Sequence, residues 1–169
     1  MALAISLGRR NLGQTSPNPS VGCILVKNNV IVGRGYTAPN GRPHAETQAL
    51  KQAGSAAKGA TAYLTLEPCS HEGKTPPCAR ALVKAGIKRA VIAVIDPDMR
   101  VNGKGISILE AAGIEVKVGV LSDQASLDHA GFFYSQNEYR PWITLKLAAS
   151  IDGKIATNIG DSKWITGSS

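Results

Sequence analysis

Residues 61–96 read "TAYLTLEPCSHEGKTPPCARALVKAGIKRAVIAVID". The stretch divides into four parts. "TAYLTLE" alternates apolar and polar residues, the period of a half-buried strand. "PCSHEGKT" is loop-like and rich in chemistry. "PPCARALVKAG" reads as a helix, with Pro76 and Pro77 at its start, Gly86 at its end, and Cys78, Ala81, Leu82 and Ala85 along one stripe. "RAVIAVID" is a continuous aliphatic run, as expected of a strand covered on both faces. A strand, a helix and a second, fully covered strand make a βαβ unit, which implies a parallel pair with a crossover helix.

Working outward, residues 2–12 read as a short helix and "TSPNPSVG" (15–22) as a turn-rich loop. "VGCILVKNNVIVGRGY" reads as a hairpin hinged at Asn28-Asn29, residues that tolerate positive φ. "HAETQALKQAG" is helical, with Ala45, Ala49, Leu50 and Ala53 on one face. Downstream, "GKGISILEAAG" reads as a helix and "IEVKVGV" as a strand. The element order β-β-α-β-α-β-α-β predicts an α/β fold: a three-layer α/β/α sandwich around a mixed, mostly parallel five-stranded sheet. Near residue 137 the texture changes. "NEYRPW" looks like a linker, and "WITLKLAASIDGKIA" begins a new strand. The expected division is 1–136 as one domain and 137–169 as a linker followed by the opening of another.

Composition narrows the function classes. Of 169 residues, 43% are hydrophobic and 18% charged, enough for a packed core. The formal net charge of +7 is scattered, without a block of like charges or the aromatic-basic interleaving of single-strand binders. This favours an anionic small molecule over nucleic acid. The charges near the N-terminus follow the short apolar stretch instead of preceding it, unlike a secretion signal. The longest aliphatic run, residues 90–95, is far short of a membrane span. Three cysteines in a chain of this size suit a reducing compartment. The expectation is a cytoplasmic protein with no membrane partner, and homo-oligomerisation is left open.

The 61–96 stretch holds two of the three cysteines, with eight residues between Cys69 and Cys78. That spacing is too wide for an ordinary C-x-x-C zinc hairpin, and it also permits a disulfide, which the expected compartment disfavours. His44-Ala45-Glu46 at one helix start, Cys69, and Cys78 at a second helix start supply one imidazole and two thiolates. This is a zinc ligand set with one tetrahedral position left for water. Helix N-termini favour thiolate over thiol. Glu46 diverges from His44 on the helix, so it does not share the metal. From the first turn it can carry a proton from an activated water to a leaving nitrogen. His-x-Glu followed by Pro-Cys and a second Cys is the signature of the zinc nucleobase deaminases. Cys23, inside an apolar strand, reads as a core residue, and His129 as a surface residue.

"TLEPCSHEGKTPPC", together with "TSPNPSVGCILV", "GRPHAETQAL" and "DPDMRVNGKG", resembles the deaminase domain of the bifunctional riboflavin-biosynthesis deaminase/reductases, in the cytidine deaminase superfamily. The resemblance covers about residues 1–135. "ITLKLAASIDGKIAT" and "SKWITG" resemble the opening of the reductase domain of the same family. The resemblance implies a cytidine deaminase-like fold, one catalytic Zn2+ on His44, Cys69 and Cys78, and Glu46 as the catalytic residue. It implies hydrolytic deamination of 2,5-diamino-6-(5-phosphoribosylamino)pyrimidin-4(3H)-one to 5-amino-6-(5-phosphoribosylamino)uracil and ammonia. NADPH would be required only by a complete reductase domain, so no reductase activity is expected of these residues. Substrate binding is implied for Asn18, His71, Lys74, Asp96, Asn102 and Gly103.

Other readings remain at this point. Asn18 also suits the turn between two prolines, Lys74 a solvated loop charge, and His71 a fourth metal ligand. Thr37 stands where some relatives carry a His. The alternative function is a tRNA or nucleotide cytosine/adenine deaminase, although such enzymes carry the shorter Pro-Cys-x-x-Cys spacing. A zinc-stabilised binding module is a third reading, and Glu46 beside three ligands argues against it.

Overall fold

A computed structural model describes residues 1–73, 76–138 and 140–162. Among these residues, five α-helices and five β-strands follow one another: α1 (Ala2–Gly8), β1 (Gly22–Lys27), β2 (Val30–Tyr36), α2 (Ala45–Ala53), β3 (Thr61–Leu64), α3 (Cys78–Lys84), β4 (Arg89–Ile92), α4 (Lys104–Ala111), β5 (Glu115–Val118) and α5 (Ser122–Glu138). The sheet order is β2-β1-β3-β4-β5. Helices α2, α3 and α4 cover one face and α1 and α5 the other, giving the expected three-layer α/β fold.

The hairpin turns where the sequence indicates. Asn28 and Asn29 both take positive φ, at 49° and 61°, as a tight hairpin turn requires. The sheet is mixed, as expected. Its pairings are evenly divided: β1 is antiparallel to β2 and β3, while β3–β4 and β4–β5 are parallel. Four of the five strands, β2 to β5, run in one direction, as a mostly parallel sheet requires, and β1 alone opposes them. It sits between β2 and β3, two strands of the same direction joined through α2, and its insertion converts one parallel contact into two antiparallel ones.

Register keeps one set of side chains on the α2–α4 face. Cys23 pairs with Leu64 and Leu25 with Ala62. Ala62 in turn pairs with Ala90, and Leu64 with Ile92. All six are fully buried, with Leu82 of α3 and Leu109 of α4 packed over them. Cys23 is thus a core residue, as its setting in the sequence indicates. A Cβ on Gly35 of β2 would lie 1.9 Å from the Ala45 carbonyl oxygen. Glycine there lets the start of α2 press directly on the strand, and this contact fixes where His44 stands.

Two expectations change. Helix α5 is absent from the sequence reading, and His129 within it is 2% exposed, not a surface residue. Ala125, His129 and Phe133 lie four residues apart on the helix. Ala125 and His129 are buried, and Phe133 packs against the core. A histidine in the middle of the buried stripe hides its periodicity. The strand expected from Trp142 onward does not form among the described residues: residues 141–150 carry no regular secondary structure. Among the described residues, no helix is long and apolar enough to cross a membrane.

Candidate metal centre and active site

His44 is the residue that starts α2, and Cys78 is the first residue of α3. Cys69 lies in the loop after β3, tied to α3 by the Ala79 amide, which donates to the Cys69 carbonyl at 3.1 Å. Three separate elements therefore converge. His44 Nδ1 is 3.4 Å from Cys78 Sγ and 3.9 Å from Cys69 Sγ, and the three ligand atoms lie within 4.8 Å of one another. These are spacings of adjacent ligands about a tetrahedral ion with bonds of about 2.0–2.3 Å. One imidazole and two thiols are the donor set zinc takes, so the residues fit the metal. His71 does not belong to this group.

The thiols are unequal. The Cys78 side chain hydrogen-bonds to Cys69 and lowers the Cys69 pKa to about 4, with His44 adding to the effect. The Cys78 amide also donates to Cys69 Sγ at 3.3 Å. The same Cys69–Cys78 hydrogen bond and burial push Cys78 upward. His44 is raised, first by its hydrogen bond to Cys69. Glu46, 4% exposed, has its carboxyl pushed up by burial and then by the Cys69 charge. A buried carboxyl with a raised pKa beside such a cluster suits a group that accepts and returns a proton.

The cluster opens into a cleft of about 470 Å3. Its lining includes His44, Glu46 and Cys69, and also Asn18, His71 and Asp96 from the expected substrate-binding set. Both sequence readings of Asn18 are compatible with its position. Its amide donates to the Gly41 carbonyl at 2.9 Å, joining two loops, and lies 3.5 Å from His44 Nε2. Gly41 has φ +80°, and a Cβ there would stand 2.6 Å from the Asn18 amide nitrogen. His71 Nδ1 is buried without a hydrogen-bond partner among the described residues. Asp96 is 6% exposed, and burial pushes its pKa to about 6. Lys74 lies outside the described residues. Asn102 is exposed, and neither it nor Gly103 lines the cleft.

Thr37 lines the cleft and is 2% exposed. Its hydroxyl accepts from the Val21 amide at 2.9 Å, so the side chain latches the approach to β1.

Several cleft residues escape the sequence reading. Asp98 forms a bidentate pair with Arg100, at 3.0 Å from Nε to each carboxylate oxygen, and this guanidinium holds the Asp98 pKa low. Arg42 lines the same cleft, and α5 contributes Phe132 and Gln136. Glu67, 3% exposed, accepts backbone N–H groups from the segment that follows β4. Only its place in "LEPC" marked it in the sequence.

A family model described as the cytidine and deoxycytidylate deaminase zinc-binding region matches residues 1–94, more than half of the chain. The chain belongs to this deaminase family. Within it, the chain is 53% identical over 166 residues to the riboflavin biosynthesis protein RibD of Aquifex aeolicus, covering 98% of this chain and 47% of that protein. It is 57% identical to the RibD of Bacillus amyloliquefaciens, covering 98% and 45%. A crystal structure of a diaminohydroxyphosphoribosylaminopyrimidine deaminase/5-amino-6-(5-phosphoribosylamino)uracil reductase from Thermotoga maritima superposes with a TM-score of 0.92 at 42% identity. That match covers 99% of this chain and 48% of the other. Residues 141–169 match the RibD C-terminal domain. The chain spans about half the length of the curated relatives it matches.

Proposed function

We propose that residues 1–136 form a zinc-dependent deaminase unit that converts 2,5-diamino-6-(5-phosphoribosylamino)pyrimidin-4(3H)-one to 5-amino-6-(5-phosphoribosylamino)uracil and ammonia, a step of riboflavin biosynthesis. The observation that carries the reading is the convergence of His44, Cys69 and Cys78, with buried Glu46 lining the same cleft. The identities of 53% and 57% to RibD proteins support the substrate class.

His44, Cys69 and Cys78 would hold the metal. Zinc, when bound, supplies a Lewis acid that brings the pKa of water toward neutral. Glu46 takes a proton from the attacking water and delivers it to the departing nitrogen. Water adds at the ring carbon bearing the exocyclic amine, the C–N bond breaks, and ammonia leaves as a carbonyl forms.

Asn18, His71, Lys74 and Asp96 are assigned to substrate contact. Asn102 and Gly103, in the loop that follows Asp96, are assigned to substrate contact as well. A formal charge of +7 favours approach of a phosphorylated pyrimidine. On this reading residues 137–169 are a linker and the opening of a reductase domain, and the protein works in the cytoplasm without nucleic acid or membrane.

The test is ammonia release by purified, zinc-loaded protein given the diaminopyrimidine phosphate. Turnover that a chelator abolishes and zinc restores is expected. Fully loaded protein that releases no ammonia contradicts the substrate assignment.

A further inference from the structure

Glu67 is a carboxylate that the deamination reading leaves without a role. It lies between β3 and the metal loop, two residues before Cys69. Its backbone amide donates to the Val94 carbonyl at 2.9 Å, extending the β3–β4 ladder. Its side chain crosses to the opposite segment. Oε1 accepts from the Gly105 amide at 2.8 Å and the Ile106 amide at 3.2 Å. Oε2 accepts from the Gly103 amide at 2.9 Å and the Asp96 amide at 3.3 Å.

Two of these donors, Gly105 and Ile106, lie in the first turn of α4, where backbone N–H groups have no partner within the helix, and a third is its N-cap, Gly103. The residue before α4 is Gly103, which has no side chain to supply one. Glu67 fills that part from another element, and its negative charge suits the positive end of the helix. The fourth donor is different: it belongs to Asp96, a wall residue of the cleft. The Asp96 carboxylate in turn accepts from the Asp98 amide at 2.9 Å. The contact between the two segments is tight. A Cβ on Gly105 would stand 2.1 Å from the Pro68 carbonyl oxygen. One side chain thus joins the strand that leads into a metal ligand to both ends of the segment that carries Asp96.

We propose that Glu67 is a positioning residue of the deamination site, holding the 96–106 segment in register with the metal loop so that Asp96 faces the substrate. The proposal deepens the deaminase reading and rests on it. Glu67 touches no reacting atom. It acts through Asp96, so its loss should appear in substrate binding before it appears in the chemical step.

The test is Glu67→Gln in the full, zinc-loaded chain, alone and combined with Asp96→Asn. Glutamine keeps the volume of the side chain but turns an NH2 group toward N–H donors, leaving at least one of them unsatisfied. Steady-state ammonia release should show KM raised about tenfold or more with kcat within about threefold, the pattern of lost uniform binding. Zinc should remain at one per chain. In the Asp96→Asn background the same change should add less than about twofold, as expected of residues that act as one unit. Equal effects in both backgrounds overturn the proposal. So does a joint loss of kcat and zinc with KM unchanged, the mark of a merely structural role. If Glu67→Gln does not fold, Glu67→Asp keeps the charge with a shorter reach, and the same split should appear in smaller form. Backbone hydrogen exchange gives a readout without substrate. Glu67→Gln should speed exchange at Asp96 and Asp98 as well as at residues 103–106. A change confined to residues 103–106 contradicts the proposal even if the substrate assignment fails separately.

Discussion

Residues 61–92 and residues 141–159 are both rich in aliphatic side chains, and their fates are opposite. Leu64, Leu66, Leu82 and Ile92 are at most 1% exposed, whereas Ile143, Leu145, Leu147 and Ile159 are between 71% and 90% exposed. Hydropathy pattern alone does not separate them. What differs is the partner. The first stretch supplies two neighbouring strands of one sheet and the helix that covers them. In the second, no strand among the described residues pairs with the 141–150 backbone. An apolar strand pattern is a demand for a partner, and burial records whether the demand is met.

That contrast can be tested at graded size. The largest effect belongs to the cluster that the buried body carries. Cys69→Ser should lose bound zinc and reduce ammonia release by about three orders of magnitude or more, read by metal analysis and a coupled assay. Retention of both would show that Cys69 is not a required ligand. Next, Leu64→Ala should destabilise the fold by about 2–5 kcal/mol, because its position is sealed on every side.

His129 gives the third effect. Burial lowers its pKa to about 4 from 6.5, so between these values the unfolded chain binds more protons than the folded one. Stability therefore falls as pH drops from about 6.5 to about 4 and is flat below that. The loss from this group between pH 7.5 and 4.5 is about 2–3 kcal/mol. His129→Gln should flatten the acid limb of urea-unfolding stability by that amount. An unchanged slope would show that His129 is not the titrating group. The smallest effect is expected in the exposed segment: Leu145→Ala should change stability by less than about 0.5 kcal/mol. A cost matching that of Leu64→Ala would erase the distinction between the two regions.

The chemistry was more legible than the frame around it. His44, Cys69 and Cys78, which the structure brings within 4.8 Å of one another, are legible because metal binding restricts residue type and helix-start signals mark two of them. Glu46 is proposed beside them from its burial in the same cleft. The Asn28-Asn29 hinge is legible because positive φ restricts residue type in the same way. Glu67 and the Asp98–Arg100 pair were not legible. Their roles depend on which backbone lies opposite, and loop sequence does not specify that. Helix α5 was missed because the polar ring of His129 interrupts its buried stripe, although its hydrogen bond with Thr65 (Nε2 to Oγ1, 3.3 Å) makes burial tolerable. The mixed, mostly parallel sheet is legible in the element order, whereas the place of β1 between β2 and β3 is not, because connection order does not fix strand order.

Glu46→Gln tests the central claim most directly, with zinc content and ammonia release measured on the same preparation. The account predicts one zinc per chain, as in the parent protein, with deamination slowed by about 10²–10⁴-fold, because the ligands are intact and the proton carrier is gone. Near-normal turnover with zinc in place would contradict it.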